Sequence, residues 1–331
     1  MTKNFRSVAV TVKGEVDPAS LGVVMTHEHL SCDISVRSGN PDNYMRDVAL
    51  IAAELGHYRA AGGGAVFEVT PIDLGSDPVA LRRIAELSGV HIVHGVSFYQ
   101  EADYPDWVRN SGAGEVAAFF SQRILEGVDG VRAGLIGELG SHSEPHGDAS
   151  RYRLTALERK VFEAAAQTQR ATGVAISTHA SLGRPGHAQL EVLAEAGADL
   201  QRVVIGHCDT LTHDDEHFDL DYYLPILQRG AYVQFDLIGW NQEWPGIATD
   251  DIRARRLAAL VRMGYGRQLT MSSDTCRLSQ LRARGGRGYD HVLREFLPRL
   301  RAEGIPESQI DQILRDNPQR IAQLAPKENT P

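Results

Sequence analysis

Cysteine is scarce in this 331-residue sequence: Cys32, Cys208 and Cys276 are the only three. So few, so widely spaced, they exclude a disulfide framework and fit a reducing compartment, with the cytoplasm the simplest home. Nowhere do about 18 apolar residues run together, so no ordinary transmembrane helix is expected. The opening segment, MTKNFRSVAVTVKGEVDP, lacks the apolar stretch of a secretory signal. Positive charge is also short: 34 Lys and Arg face 43 Asp and Glu, a formal net charge of -9. Such a surface repels nucleic acid and anionic membranes, so neither is expected as a partner and a small molecule is. No low-complexity tract, charge run or Pro/Ser linker divides the chain. No G-x-G-x-x-G loop follows the first apolar run, which argues against an open dinucleotide-binding sheet.

What is present is ample core material, 42% hydrophobic residues with 23% charged. Eight short β-branched runs fall at 22–25, 65–70, 91–97, 133–138, 174–178, 202–206, 232–236 and 268–273. Most are continuously apolar, as strands buried on both faces of a parallel sheet read. Helical patterns alternate with them at 47–61, 78–88, 115–126, 155–172, 187–196, 220–228 and 251–263, and 285–323 supplies the terminal helices. Several stop at glycine just before a strand. Eight strand–helix units without a linker predict an α/β fold of the (β/α)₈ TIM-barrel type, one domain over 1–331 with a barrel core of about 12–324.

A barrel of this kind carries its chemistry at the carboxyl ends of the strands. There the sequence reads Thr26-His27-Glu28-His29, Ile136-Gly137-Glu138, Ser177-Thr178-His179, Ile205-Gly206-His207 and Ser272-Ser273-Asp274. His27 and His29, two apart on a strand, point to one face and can share a metal ion. His179 and His207, from neighbouring strands, can hold a second. Zinc accepts nitrogen and carboxylate ligands at about 2.0–2.2 Å, and the two oxygens of Glu138 can bridge two ions. Asp274 can bind metal or accept a proton from bound water. Any one of these histidines read alone is a packing residue; four imidazoles and two acids gathered on one rim are not explained by packing. His57, His142, His146, His187, His213, His217 and His291 fall in helices or loops and read as surface or supporting residues. His91 and His94 open the third strand and read as packing residues.

These motifs resemble the phosphotriesterase family of the amidohydrolase superfamily. LGVVMTHEHL (21–30) is similar to its first strand, GHCD (206–209) and SSD (272–274) to its sixth and eighth, and GGRGYD (285–290) with DNPQRI (316–321) to its C-terminal region. The likeness runs from about Val12 to Leu324. Family members with a carboxylated lysine on strand four differ from this chain, whose AGLIGELG (133–140) offers Glu138 and no lysine. That departure resembles the bacterial phosphotriesterase homology protein branch. The resemblance implies a hydrolase with two divalent metal ions, and a homodimer is an option although no interface pattern is visible.

With two Zn²⁺ against Glu138, Asp274 and a hydroxide, the site keeps about one positive charge. Water between two cations ionises near pH 7 and becomes the expected nucleophile. Manganese and cobalt accept the same ligands. The expected substrate is a lactone or carboxylic ester, with a phosphoester, a phosphotriester or an N-acyl amide as alternatives and a non-catalytic ligand-binding barrel as a reading from another class. Specificity belongs to the loops. Tyr99 either hydrogen-bonds substrate or plugs its loop; Trp240 and Trp244 form an apolar lid or simply pack. The loop after strand eight carries Arg277, Arg282, Arg284 and Arg287. Arg277, three past Asp274, is the best candidate to grip a substrate anion, against the reading of an ordinary basic surface loop. Cys208 and Cys276 read as packing residues, and Ser272 and Ser273 lack a nucleophile elbow.

Overall fold

The computed structural model describes residues 7–143, 151–180, 185–210, 220–240, 243 and 247–324. Eight parallel strands follow one another: β1 (Val23–Glu28), β2 (Gly63–Glu68), β3 (His91–Val96), β4 (Leu135–Gly140), β5 (Ile176–His179), β6 (Val203–Ile205), β7 (Tyr232–Phe235) and β8 (Leu269–Met271). Each pairs with the next, so the sheet order is the chain order. All eight predicted strands exist. The differences lie at the rim: β1 runs on to Glu28, so His27 lies within the strand rather than just past it, and β4 runs two residues beyond Glu138 to Gly140. Buried polar side chains that find partners continue a strand as well as apolar ones do.

The sheet curls until β8 meets β1. Across this seam, Asp274 N–H donates to the His27 carbonyl at 3.2 Å and His29 N–H to the Thr275 carbonyl at 3.2 Å. The carboxylate of Glu28, fully buried, accepts from the Ser272 and Ser273 hydroxyls and from the Ser273 and Thr275 amides, all at 2.8–2.9 Å. Glu28 thus staples the barrel shut between two metal-ligand candidates, which explains an acid inside T-H-E-H that does not face the site.

Inward alternation builds the barrel interior from Val24, Ala65, Phe67, Val93, Leu135, Ala175, Val204 and Tyr232. The opposite faces pack under helices α1 (Val48–Ala60), α2 (Pro78–Ser88), α3 (Ala113–Leu125), α4 (Ala156–Thr172), α5 (Gly186–Glu195), α6 (Leu220–Gln228) and α7 (Asp250–Arg262). The predicted glycine stops are visible: Gly89 and Gly173 close α2 and α4 with φ of 70° and 79°, where a side chain is strained. An N-terminal hairpin (Ala9–Thr11 with Gly14–Val16) that the periodicity did not suggest tucks Ala9 into the interior cluster, so the amino end of the barrel is plugged and apolar. Among the described residues no helix is long and apolar enough to cross a membrane.

Candidate metal centre

The carboxyl rim gathers His27, His29, Glu138, His179, His207 and Asp274, all but His27 lining a cavity of about 700 Å³. The side chains of His179 and Asp274 are 11% exposed and those of the other four at most 3%. Two close groups stand out: His27 with Glu138 and His207, and His27 with His29 and Asp274. Backbone geometry places the last two arrivals. His207 and Asp274 adopt φ of 51° and 47°, a left-handed turn that folds their side chains back over the rim. Gly206 lets β6 approach β5: a Cβ there would lie 2.2 Å from the Thr178 carbonyl oxygen.

Hydrogen bonds orient three of the rings, and a carboxylate faces the fourth. Thr70 Oγ donates to Glu68 at 2.5 Å, so its oxygen accepts from His29 Nδ1–H at 2.9 Å. His207 Nδ1–H donates to Asp236 at 2.8 Å, and the second oxygen of Asp236 faces His27 Nδ1 at 3.2 Å. His179 Nε2–H points to the Tyr99 hydroxyl at 3.0 Å. The remaining nitrogens converge. His29 Nε2 lies 3.1 Å from Asp274, His27 Nε2 3.2 Å from Glu138, and His179 Nδ1 2.8 Å from both Glu138 and His207 Nε2. Outer partners that fix the tautomer and leave a bare lone pair facing inward are the mark of metal-ligating imidazoles.

Without a cation the acids of the rim draw protons onto its rings. Burial alone would depress the histidines, yet Asp236 and Glu138 hold His27 well above its ordinary pKa, and Asp236 pushes His207 up to about 10. In His179, burial prevails and lowers the value despite Glu138. Burial opposes ionisation of Glu138, but His179 and His27 draw its pKa well below the carboxylate range. A nest of carboxylates that pulls protons onto imidazoles calls for positive charge, and His27, fully buried, makes no hydrogen bond of good geometry from either ring nitrogen. The donor set fits a divalent cation, which His27 with His29 and Asp274, or His27 with Glu138 and His207, could hold.

Sequence reasoning missed the supports. Asp236, at the end of the predicted seventh strand, holds two ligand rings at once. Behind it Asp209, the acid of GHCD, accepts from the amides of Asp236 and Leu237 at 3.2 and 3.0 Å and from Arg253 Nε at 2.6 Å. An acid ending a barrel strand was the available signal for Asp236; nothing local pointed to Thr70. Tyr99 lines the cavity, with its hydroxyl 3.0 Å from His179 Nε2. Trp240 lines the wall with its indole N–H fixed on the Ser273 carbonyl at 2.8 Å; Trp244 lies outside the described residues. Burial pushes the thiols of Cys208 and Cys276 up, away from nucleophilic use.

Of the loop arginines, Arg282 pairs with Asp290 and Arg287 with Glu243. Arg277 faces the cavity, stacked over Trp240 at 4.8 Å, with Glu243 no nearer than 4.0 Å. A second cavity-lining guanidinium, Arg37, lies 4.7 Å over the Tyr99 ring and pairs with Asp103.

The model of the phosphotriesterase family matches residues 7–322. This chain belongs to the phosphotriesterase family. It is 36% identical over 304 residues to the phosphotriesterase homology protein of Escherichia coli, covering 91% of this chain and 98% of that one. The crystal structure of that protein, with phosphate in its active site, superposes with a TM-score of 0.84 over 92% of this chain and 99% of that one. The N-acetyltaurine hydrolase of Rattus norvegicus is 32% identical over 349 residues, covering 94% of this chain and 96% of that one. A Listeria monocytogenes lactonase, 22% identical, shares the fold at a TM-score of 0.83 over 97% of this chain and all of that one. The chain is therefore a hydrolase of this family, built on its barrel.

Proposed function

We propose that this family member hydrolyses a small carboxylic ester or lactone bearing an anionic group, using two divalent cations, zinc by preference. The observation that carries the reading is the convergence of bare imidazole nitrogens with Glu138 and Asp274 beneath a cavity whose wall presents Arg277. When bound, such cations acidify water and polarise the scissile carbonyl. The residues do the rest. Asp274, the most exposed carboxylate of the rim, accepts a proton from the attacking water and returns it to the leaving group. Arg277, held flat on Trp240, grips the anion through two parallel hydrogen bonds. Asp236, Thr70 and Tyr99 keep four rings in place, so little reorganises during reaction.

An N-acyl amide is the second reading, favoured by the likeness to N-acetyltaurine hydrolases. It asks more of Asp274, which must protonate a poor amine leaving group. The test is turnover by zinc-loaded protein of sugar lactones, aryl esters, N-acyl amines and a phosphotriester, each in neutral and anionic form. Ester or lactone turnover favouring anionic members is expected. Preference for N-acyl amines selects the second reading, and tight ligand binding without turnover of any carbonyl compound would overturn both.

A further inference from the structure

At the amino end of the barrel, opposite the metal ligands, the segments leading into β6, β7 and β8 surround a cavity of about 560 Å³. We propose that it binds a phosphate group, as the free dianion or on a small polyhydroxylated molecule. Its basic residues are Arg202, in the turn before β6, Arg267, in the turn before β8, and Arg320, in the last helix (Asn317–Ala322). Among the described residues the one acid on the lining is Asp199, whose carboxylate caps the Gln201 backbone N–H at 3.0 Å and pairs with none of the three arginines. Three guanidiniums against one carboxylate leave about two positive charges in this cavity, on a chain whose formal net charge is -9.

The three guanidiniums differ in what they have left to give. Arg202 is spent on the fold: it donates to the carbonyls of Arg320 and Ile321, each at 3.3 Å, and of Gln323, which pins the end of the last helix. Burial holds its pKa below the ordinary value although Asp199 pulls the other way, so it stands as a fixed charge without a paired carboxylate. Arg320 uses one terminal nitrogen, on the Arg267 carbonyl at 2.9 Å and on Asn317, which brings its head to the base of the Arg267 side chain. Arg267 is exposed, and its guanidinium makes no ion pair or hydrogen bond among the described residues. Two guanidinium forks with open N–H groups, backed by a fixed charge, match the oxygens of a phosphate dianion.

The rest of the lining suits neutral oxygens. The Gln201 side-chain amide and the Tyr232 hydroxyl have no hydrogen-bond partner among the described residues. Small-molecule cavities commonly span about 300–1,000 Å³, so this one has room for a body of pentose size beside the phosphate. Tyr232, only 5% exposed, is the one aromatic residue on the lining, so nothing there stacks on a nucleobase. The amino face of such a barrel serves stability rather than catalysis. The proposal therefore stands whichever bond the metal centre breaks.

The experiment is calorimetric titration of the full-length, zinc-loaded protein, freed of excess metal, with ribose 5-phosphate, inorganic phosphate and ribose, repeated on Arg267→Met and Arg320→Met. The phosphates should bind and ribose should not, and each variant should weaken phosphate binding at least tenfold. Phosphate taken by the metal centre is unmoved by either change, so the affinity lost in the variants is the measure of this cavity. Tighter binding of ribose 5-phosphate than of inorganic phosphate identifies an organic phosphate as the ligand, and equal affinity identifies the free ion. Arg267→Met alters an exposed side chain that holds nothing, so it remains informative if Arg320→Met, which gives up two bonds, fails to fold. Equal phosphate binding by the parent and Arg267→Met, binding of ribose as strong as that of its phosphate, or no binding at tens of millimolar overturns the proposal.

Discussion

The rim of the barrel and the loops above it solve opposite problems. Rim side chains sit at strand ends, nearly all less than a tenth exposed, three imidazoles hydrogen-bonded to a named partner and His27 facing Asp236. The cavity wall carries Arg37 and Arg277, whose side chains are 31% and 37% exposed and rest on aromatic faces. A buried cage with two-way hydrogen bonds tolerates little change, so it fixes the chemistry. Arginines leaning on rings can be swapped at small cost to the fold, and in the proposed function they select the substrate. Damage on the rim should therefore appear in metal content and turnover, and damage on the wall in KM.

Glu138 is the sharpest place to break that contrast. Glu138→Ala removes the carboxylate between the two halves of the cage and should lower kcat/KM by about 10³-fold or more, the loss of several kcal/mol of transition-state stabilisation. Metal analysis should show the bound cations falling with it. A fully active variant with undiminished metal content would contradict the bridge. Next in size is Asp236→Asn, which weakens the hold on both His27 and His207. Metal affinity should fall by about 10–100-fold, with activity returning at saturating zinc. Thr70→Val, which frees one ring, should cost less; equal losses would show that Asp236 does not act on two ligands.

On the wall, Arg277→Ala should raise KM for anionic substrates by about tenfold to a hundredfold, as expected for one lost charge-assisted contact of about 1.5–3 kcal/mol. Neutral substrates and metal content should change little. An equal rise for both substrate types removes the anion role and with it the distinction between wall and rim.

The same contrast explains what could be read without coordinates. Strand order and the six ligand candidates were legible because parallel strands write themselves as apolar runs, and their chemistry follows immediately at the carboxyl ends, as in Gly206-His207. The supports were not. Asp236 and Thr70 act across strands, on rings 29 and 41 positions away in the chain, and no local pattern records such a pairing. Glu28 looked like part of a ligand motif, yet its role depends on β8 arriving beside β1, 245 residues later. Tyr99 lines the cavity, but its contact with His179 depends on how β3 and β5 converge.

The smallest expected effect concerns the loop layer and is a matter of stability. Asp73 lies in the turn after β2, with both carboxylate oxygens 3.0 Å from the amide N–H of Tyr99. Burial raises its pKa to about 7, although the Tyr99 amide pulls the other way. In the unfolded chain it ionises near pH ~3.9. Between these values the folded protein holds the extra proton, so this group's contribution to stability is full below about pH 4 and is lost as pH rises through about 7, with a slope of at most about 1.4 kcal/mol per pH unit. Asp73→Asn keeps an oxygen for the Tyr99 N–H but cannot ionise. Denaturant unfolding at pH 5 and pH 8 should therefore show the variant gaining about 1–2 kcal/mol on the parent chain at the higher pH. A difference between the two proteins that does not change with pH would mean that Asp73 is ionised in the folded state throughout, and that the turn under Tyr99 is as well solvated as the outer loops.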